Sequence, residues 1–188
     1  MTRLIAFASV ALLGATPAFA QMGGPPQKIT LAQGLQRAYD GVKRNITEMS
    51  EKMPEADYGY KPHPDSRAFG QLFAHAANSM YGGCAALKGV ENPNQGKNLE
   101  ELLKTKAEFV KALADAYAFC DDAVKGLTDS NVAEMVKQGR NEVARGSIVA
   151  GITSHNNEMY GTGAAYMRAK GLVPPSTERA SQMRRPGN

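Results

Sequence analysis

The sequence predicts an all-α fold, a four-helix bundle with one short extra helix. Three observations carry that expectation. Four stretches repeat apolar residues at helical spacing, Pro- and Gly-rich segments separate them, and no segment alternates polar and apolar residues over a useful length. No repeat at solenoid periods competes with it. With 188 residues, 43% of them hydrophobic and 21% charged, the chain suits one domain with a real core.

Residues 1–20 read as a secretory signal. Arg3 supplies the positive charge, and "LIAFASVALLGATPAFA" supplies an apolar stretch ending in Ala18-Phe19-Ala20. Small residues at the positions a signal peptidase reads predict cleavage after Ala20. The run is short for a membrane anchor, and Pro17 argues the same way. No stable membrane insertion is expected after cleavage, and the protein is expected to be periplasmic or extracellular. Residues 21–29 are expected to form a flexible leader.

The bundle is expected over residues 30–176. Its first helix opens at Thr30, a good N-cap, and runs to about Met53, with Leu31, Leu35, Ala38, Val42, Ile46 and Met49 on one stripe. "PEADYGYKPHPDS" is a loop. The second helix spans about Ser66 to Leu87, with Phe69, Leu72, Phe73, Ala76, Met80, Cys84 and Leu87 facing the core and His75 just outside that stripe. The third runs from about Leu99 to Lys125, with Glu100, Glu101 and Lys104 on its charged face. "TDSNVAEMV" reads as the short extra helix and "KQGRNEVARG" as a connector. The fourth helix runs from about Gly146 to Lys170 and stops at Gly171, Pro174 and Pro175. Ile148, Ile152, His155, Met159 and Tyr166 share its inner face. Residues 177–188 are expected to be a disordered basic tail.

Charge and cysteine content narrow the function. Removing Arg3 from the 22 basic residues leaves 21 against 18 acidic ones, a net charge of +3, too small to argue for nucleic acid. Cys84 and Cys120 both fall among apolar residues of predicted helices. An exported chain permits a disulfide, and two buried thiols are the other reading. There is no glycine-rich phosphate loop, nucleophile elbow or Cys-x-x-Cys. "NIT" at Asn45 fits the glycosylation pattern but lies within a predicted helix.

Two of the three histidines sit on bundle helices, His75 on the second and His155 on the fourth. Inward side chains from facing helices can converge on one metal. "SRAFGQLFAHAANSMYGGCAAL" (66–87) and "HNNEMYGTGAAYMRAKGLVPPST" (155–177), in that order and at that separation, resemble the DinB-like superfamily of four-helix-bundle proteins over roughly Leu31 to Ser176. The resemblance implies a metal held by three imidazoles, one from the second helix and two from the fourth. By position those are His75, His155 and residue 159, which here is Met159. The implied cofactor is Zn or Ni. The thioether brings copper in as a further candidate and a metal-free bundle as the alternative. Glu158, His63 or a water could replace the missing ligand.

Three functions follow. The first is an exported DinB-like protein with a degenerate His75/His155/Met159 site, which as an enzyme would be a metal-dependent thiol transferase. The second is a non-catalytic bundle that binds a small molecule between the second and fourth helices, where Gly82, Gly83, Gly161 and Gly163 either leave room or allow close packing. The third is copper handling through the same three residues. A homodimer is compatible with all of them.

Overall fold

The computed structural model describes residues 27–184. The expected signal sequence at 1–20 and most of the leader lie outside them. Four long helices build the bundle: α1 (Leu31–Lys52), α2 (Phe69–Lys88), α4 (Lys106–Lys125) and α5 (Arg145–Ala169). Two short helices, α3 (Leu99–Leu102) and α6 (Pro175–Met183), and a hairpin of β1 (Met135–Gln138) and β2 (Asn141–Ala144) complete the elements. Helix α1 packs on α4 and α5, and α2 packs on the same pair, so α1 and α2 sit on one diagonal of the bundle. Among the described residues no helix is long and apolar enough to cross a membrane.

Local chemistry sets the boundaries. Thr30 and Gln33 form a capping box at the start of α1, each side chain bonding the other's backbone N–H. Thr105 and Glu108 form a second box at the start of α4. That second box corrects the expectation of one helix from Leu99 to Lys125: Thr105 leaves helical geometry to cap α4, so Leu99–Leu102 stands apart as α3. Gly89, with φ of 65°, ends α2 in the left-handed conformation that glycine adopts without strain.

The core fills from the predicted stripes. Tyr39, Ile46, Met49, Leu72, Phe73, Met80, Leu113, Tyr117 and Met167 are fully buried, each large apolar side chain contributing roughly 1.5–3 kcal/mol. Cys84 and Cys120 are joined as a disulfide that ties α2 to α4, with Cα atoms 5.3 Å apart.

Two further expectations are corrected. The segment "TDSNVAEMV" is not a short extra helix but turns leading into β1, which pairs antiparallel with β2. Gly139, at φ 60°, opens the two-residue loop that closes the hairpin, the backbone such a tight reversal requires. Residues 177–183 are helical rather than disordered. Gly171, at φ 72°, ends α5, and Pro175 serves as the first residue of α6, where its missing N–H costs nothing. Arg179 bonds Glu48 and Asn45 on α1, Lys52 pairs with Glu178 at 2.7 Å, and the Tyr160 hydroxyl meets Ser176 at 2.8 Å.

Candidate functional site

Helices α2 and α5 bring His75 and His155 together. Their ring centroids are 4.9 Å apart and the planes are tilted by 38°. The two residues come from facing helices 80 positions apart in the chain, so only the bundle's register makes this contact. Met159 lies one turn along α5 from His155 and is buried.

Helix α3 supplies a group that the sequence reading placed on a solvated face. Glu100 Oε1 is 2.6 Å from His75 Nδ1, and its other oxygen accepts from Arg67 Nε at 2.8 Å. Gln71 donates to the Glu100 carbonyl at 3.2 Å, and Asn98 caps the short helix from beneath. The carboxylate is therefore held between His75 and Arg67, its backbone is anchored by Gln71 and Asn98, and it is less than a fifth exposed. The break at Thr105 makes this geometry: a continuous helix would not leave Leu99–Leu102 free to lie against α2. The pattern Thr105-x-x-Glu108 is a capping box legible in the sequence, and it is the signal that would have separated α3 from α4.

His155 has the opposite environment. Its Nδ1 is buried without a hydrogen-bond partner. Burial first, and then the neighbouring His75, hold its pKa below the ordinary imidazole value, with Arg67 adding a smaller push in the same direction; the Asn156 amide and Glu158 oppose them. Asn156 is wholly buried. Its Nδ2 donates to the Tyr117 hydroxyl at 3.0 Å, while its Oδ1 is left without a partner. Tyr117 in turn packs edge-on against Tyr39, whose hydroxyl donates to Asp121.

A cleft of about 530 Å³ opens beside the pair, lined by Arg67, Gln71, Glu100, Glu158, Met159 and Tyr166 among others. Neither imidazole is among the lining residues; Glu100 and Met159 connect the pair to the cleft. Among the described residues, no group of three or more His, Cys, Asp and Glu side chains is placed to hold a metal ion. His63 stays on the exposed loop beside Asp65, and Glu158 points to the cleft, so neither completes a triad with the two imidazoles. The glycines divide. A Cβ on Gly83 would meet Ile152 Cδ1 at 2.9 Å and one on Gly163 would meet Met49 Sδ at 2.5 Å, so these two allow close packing. Gly82 and Gly161 have nothing within 4 Å.

Residues 38–162 match the DinB superfamily. That match covers well over half of the chain, and the protein belongs to the DinB superfamily. Solved structures agree on the fold. A DinB-like protein from Bacillus cereus has a TM-score of 0.61 at 12% identity, over 76% of this chain and 95% of that one. A conserved protein from Enterococcus faecalis has a TM-score of 0.60 at 13% identity, over 75% and 97%. A DinB-like protein from Bacillus subtilis has a TM-score of 0.58 at 15% identity, over 74% and 93%. No curated protein is significantly similar in sequence.

Proposed function

We propose that this is an exported DinB-superfamily protein that binds one soft or borderline metal ion through His75, His155 and Met159. The observation that carries the reading is the pairing of two imidazoles from facing helices, ring centroids 4.9 Å apart, with the buried Met159 one turn along α5 from His155. Two neutral imidazoles suit Zn, Ni or Cu, and a thioether adds a soft donor that favours Cu(I). When bound, the metal would supply Lewis acidity or thiolate binding; the chain's own groups orient the rings and exclude water. His155, held neutral at pH 7 by burial, needs no deprotonation to act as a ligand. The Cys84–Cys120 disulfide supports export, because such bonds persist in oxidising compartments.

The cleft supports a second reading, a small-molecule site without metal, since its volume lies within the range of ordinary ligand pockets. Elemental analysis of untagged protein separates the two. One equivalent of metal, lost in His75→Ala and in His155→Ala, is the expected result. No metal after incubation with Zn(II), Ni(II) and Cu(I) would leave only the second reading.

A further inference from the structure

Each imidazole has a polar neighbour that other groups hold in place. For His75 that neighbour is Glu100, anchored by Arg67 and Gln71. For His155 the neighbouring group is Asn156. Its amide nitrogen is already committed to Tyr117, so the oxygen is the atom it has left to offer. Among the described residues, the two buried side-chain atoms without partners are His155 Nδ1 and Asn156 Oδ1, on consecutive residues. Two acceptors would leave both unsatisfied. A proton on Nδ1 turns them into a complementary donor and acceptor.

We propose that Glu100 and Asn156 are a matched pair of positioning residues that hold both imidazoles in the Nδ1–H form, leaving Nε2 of each as the free lone pair. An ionised carboxylate accepts only, so its 2.6 Å contact requires the proton on His75 Nδ1. The Asn156 amide nitrogen donates to the buried Tyr117 hydroxyl at 3.0 Å, which leaves the amide oxygen as the acceptor for a proton on His155 Nδ1. Ring orientation and tautomer are then set before any ligand arrives, as carboxylates and carbonyls do for histidines at metal sites. The consequence for metal affinity rests on the function proposed above; the tautomers themselves do not.

His63 provides an internal contrast. Its Nδ1 accepts the Asp65 backbone N–H at 3.2 Å, so this ring carries its proton on Nε2. The test is nitrogen NMR of the full chain labelled with ¹⁵N-histidine, in chelator at a pH where all three rings are neutral. Expected are Nδ1–H for His75 and His155 and Nε2–H for His63. Glu100→Ala should move His75 alone toward Nε2–H, and Asn156→Ala should move His155 alone. Should Asn156→Ala fail to fold, Tyr117→Phe frees the amide and should give His155 a mixture of both forms. Nε2–H at either ring in the unaltered protein, or variants that leave the tautomers unchanged, would overturn the assignment. In Zn(II) and Cu(I) titrations each variant should bind about 10–100-fold more weakly. Unaltered affinity in both variants would overturn the positioning role. Tautomers as stated, with no metal bound by the unaltered protein, would sustain the orienting pair and remove the metal reading instead.

Discussion

His155 lies against His75, ring to ring at 4.9 Å, and its own Nδ1 is buried without a partner. Its pKa is therefore held down, by burial first and then by the other imidazole. The unfolded chain regains an ordinary His, with a pKa near 6.5. Below that pH the unfolded state takes up a proton that the folded state refuses. Stability from this group is thus fully present above pH 6.5 and is lost as pH falls through the folded pKa. Urea midpoints measured from pH 8 to pH 5 in chelator should fall on the acid side, and His155→Gln should flatten that limb. An unaltered acid limb in the variant would contradict the assignment.

Two glycines should respond in opposite directions. At Gly70 a Cβ would meet the Phe109 ring at 2.6 Å and Tyr58 at 2.9 Å. Both rings are pinned, Tyr58 by its hydroxyl on the Ser50 carbonyl and by stacking on Phe109. Gly70→Ala should therefore destabilise by about 1–3 kcal/mol, the cost of overpacking. Gly161 is exposed within α5 and has open space around its Cβ position. Gly161→Ala should stabilise by roughly 0.5–1 kcal/mol, through lower backbone entropy in the unfolded chain. Denaturant titration of both variants checks the pair.

The disulfide closes a loop between residues 36 apart in the chain. On loop entropy it should contribute about 4 kcal/mol. The double variant Cys84→Ala, Cys120→Ala should lose about that much in urea unfolding while keeping its helical circular dichroism, because Met80, Phe73 and Leu113 still hold α2 and α4 together.

The bundle could be read from the sequence because its signal is long. Ile148, Ile152, Met159 and Tyr166 repeat over five turns of α5, and Pro174 and Pro175 mark its end. Features set by a few residues were harder. The hairpin pairs only four residues a side, with Val136 opposite Val143, too few for alternation to stand out. Helix α6 depends on Arg179 reaching Glu48 and Asn45 across 131 and 134 positions, which no local pattern encodes. Within the site, His75 and His155 were legible from helical position and from the family resemblance. Glu100 was not, because on an unbroken helix it shares a face with Glu101 and Lys104. Only the Thr105 cap turns it toward His75. Asn156 looked like one polar residue among several; its burial is a tertiary fact.

Met159 is the position at which donor chemistry can be changed with little else disturbed. It occupies the inner face of α5, is 4% exposed and touches the cleft. A thioether binds Zn(II) weakly, whereas an imidazole is an ordinary ligand for it. With His75 and His155 already paired, Met159→His would offer three nitrogens, the ligand number of a catalytic zinc site with one open position. Zinc and nickel affinity should therefore rise by at least tenfold and preference for Cu(I) should fall, read by competition with a chromophoric chelator. Met159→Leu, similar in volume but without sulfur, should fold as well as the unaltered protein and lose the Cu(I) preference alone. If Met159→His gains no zinc, the two imidazoles do not share a point with residue 159. The metal function would then fall together with the copper preference, and the cleft would be left as a site for a small molecule.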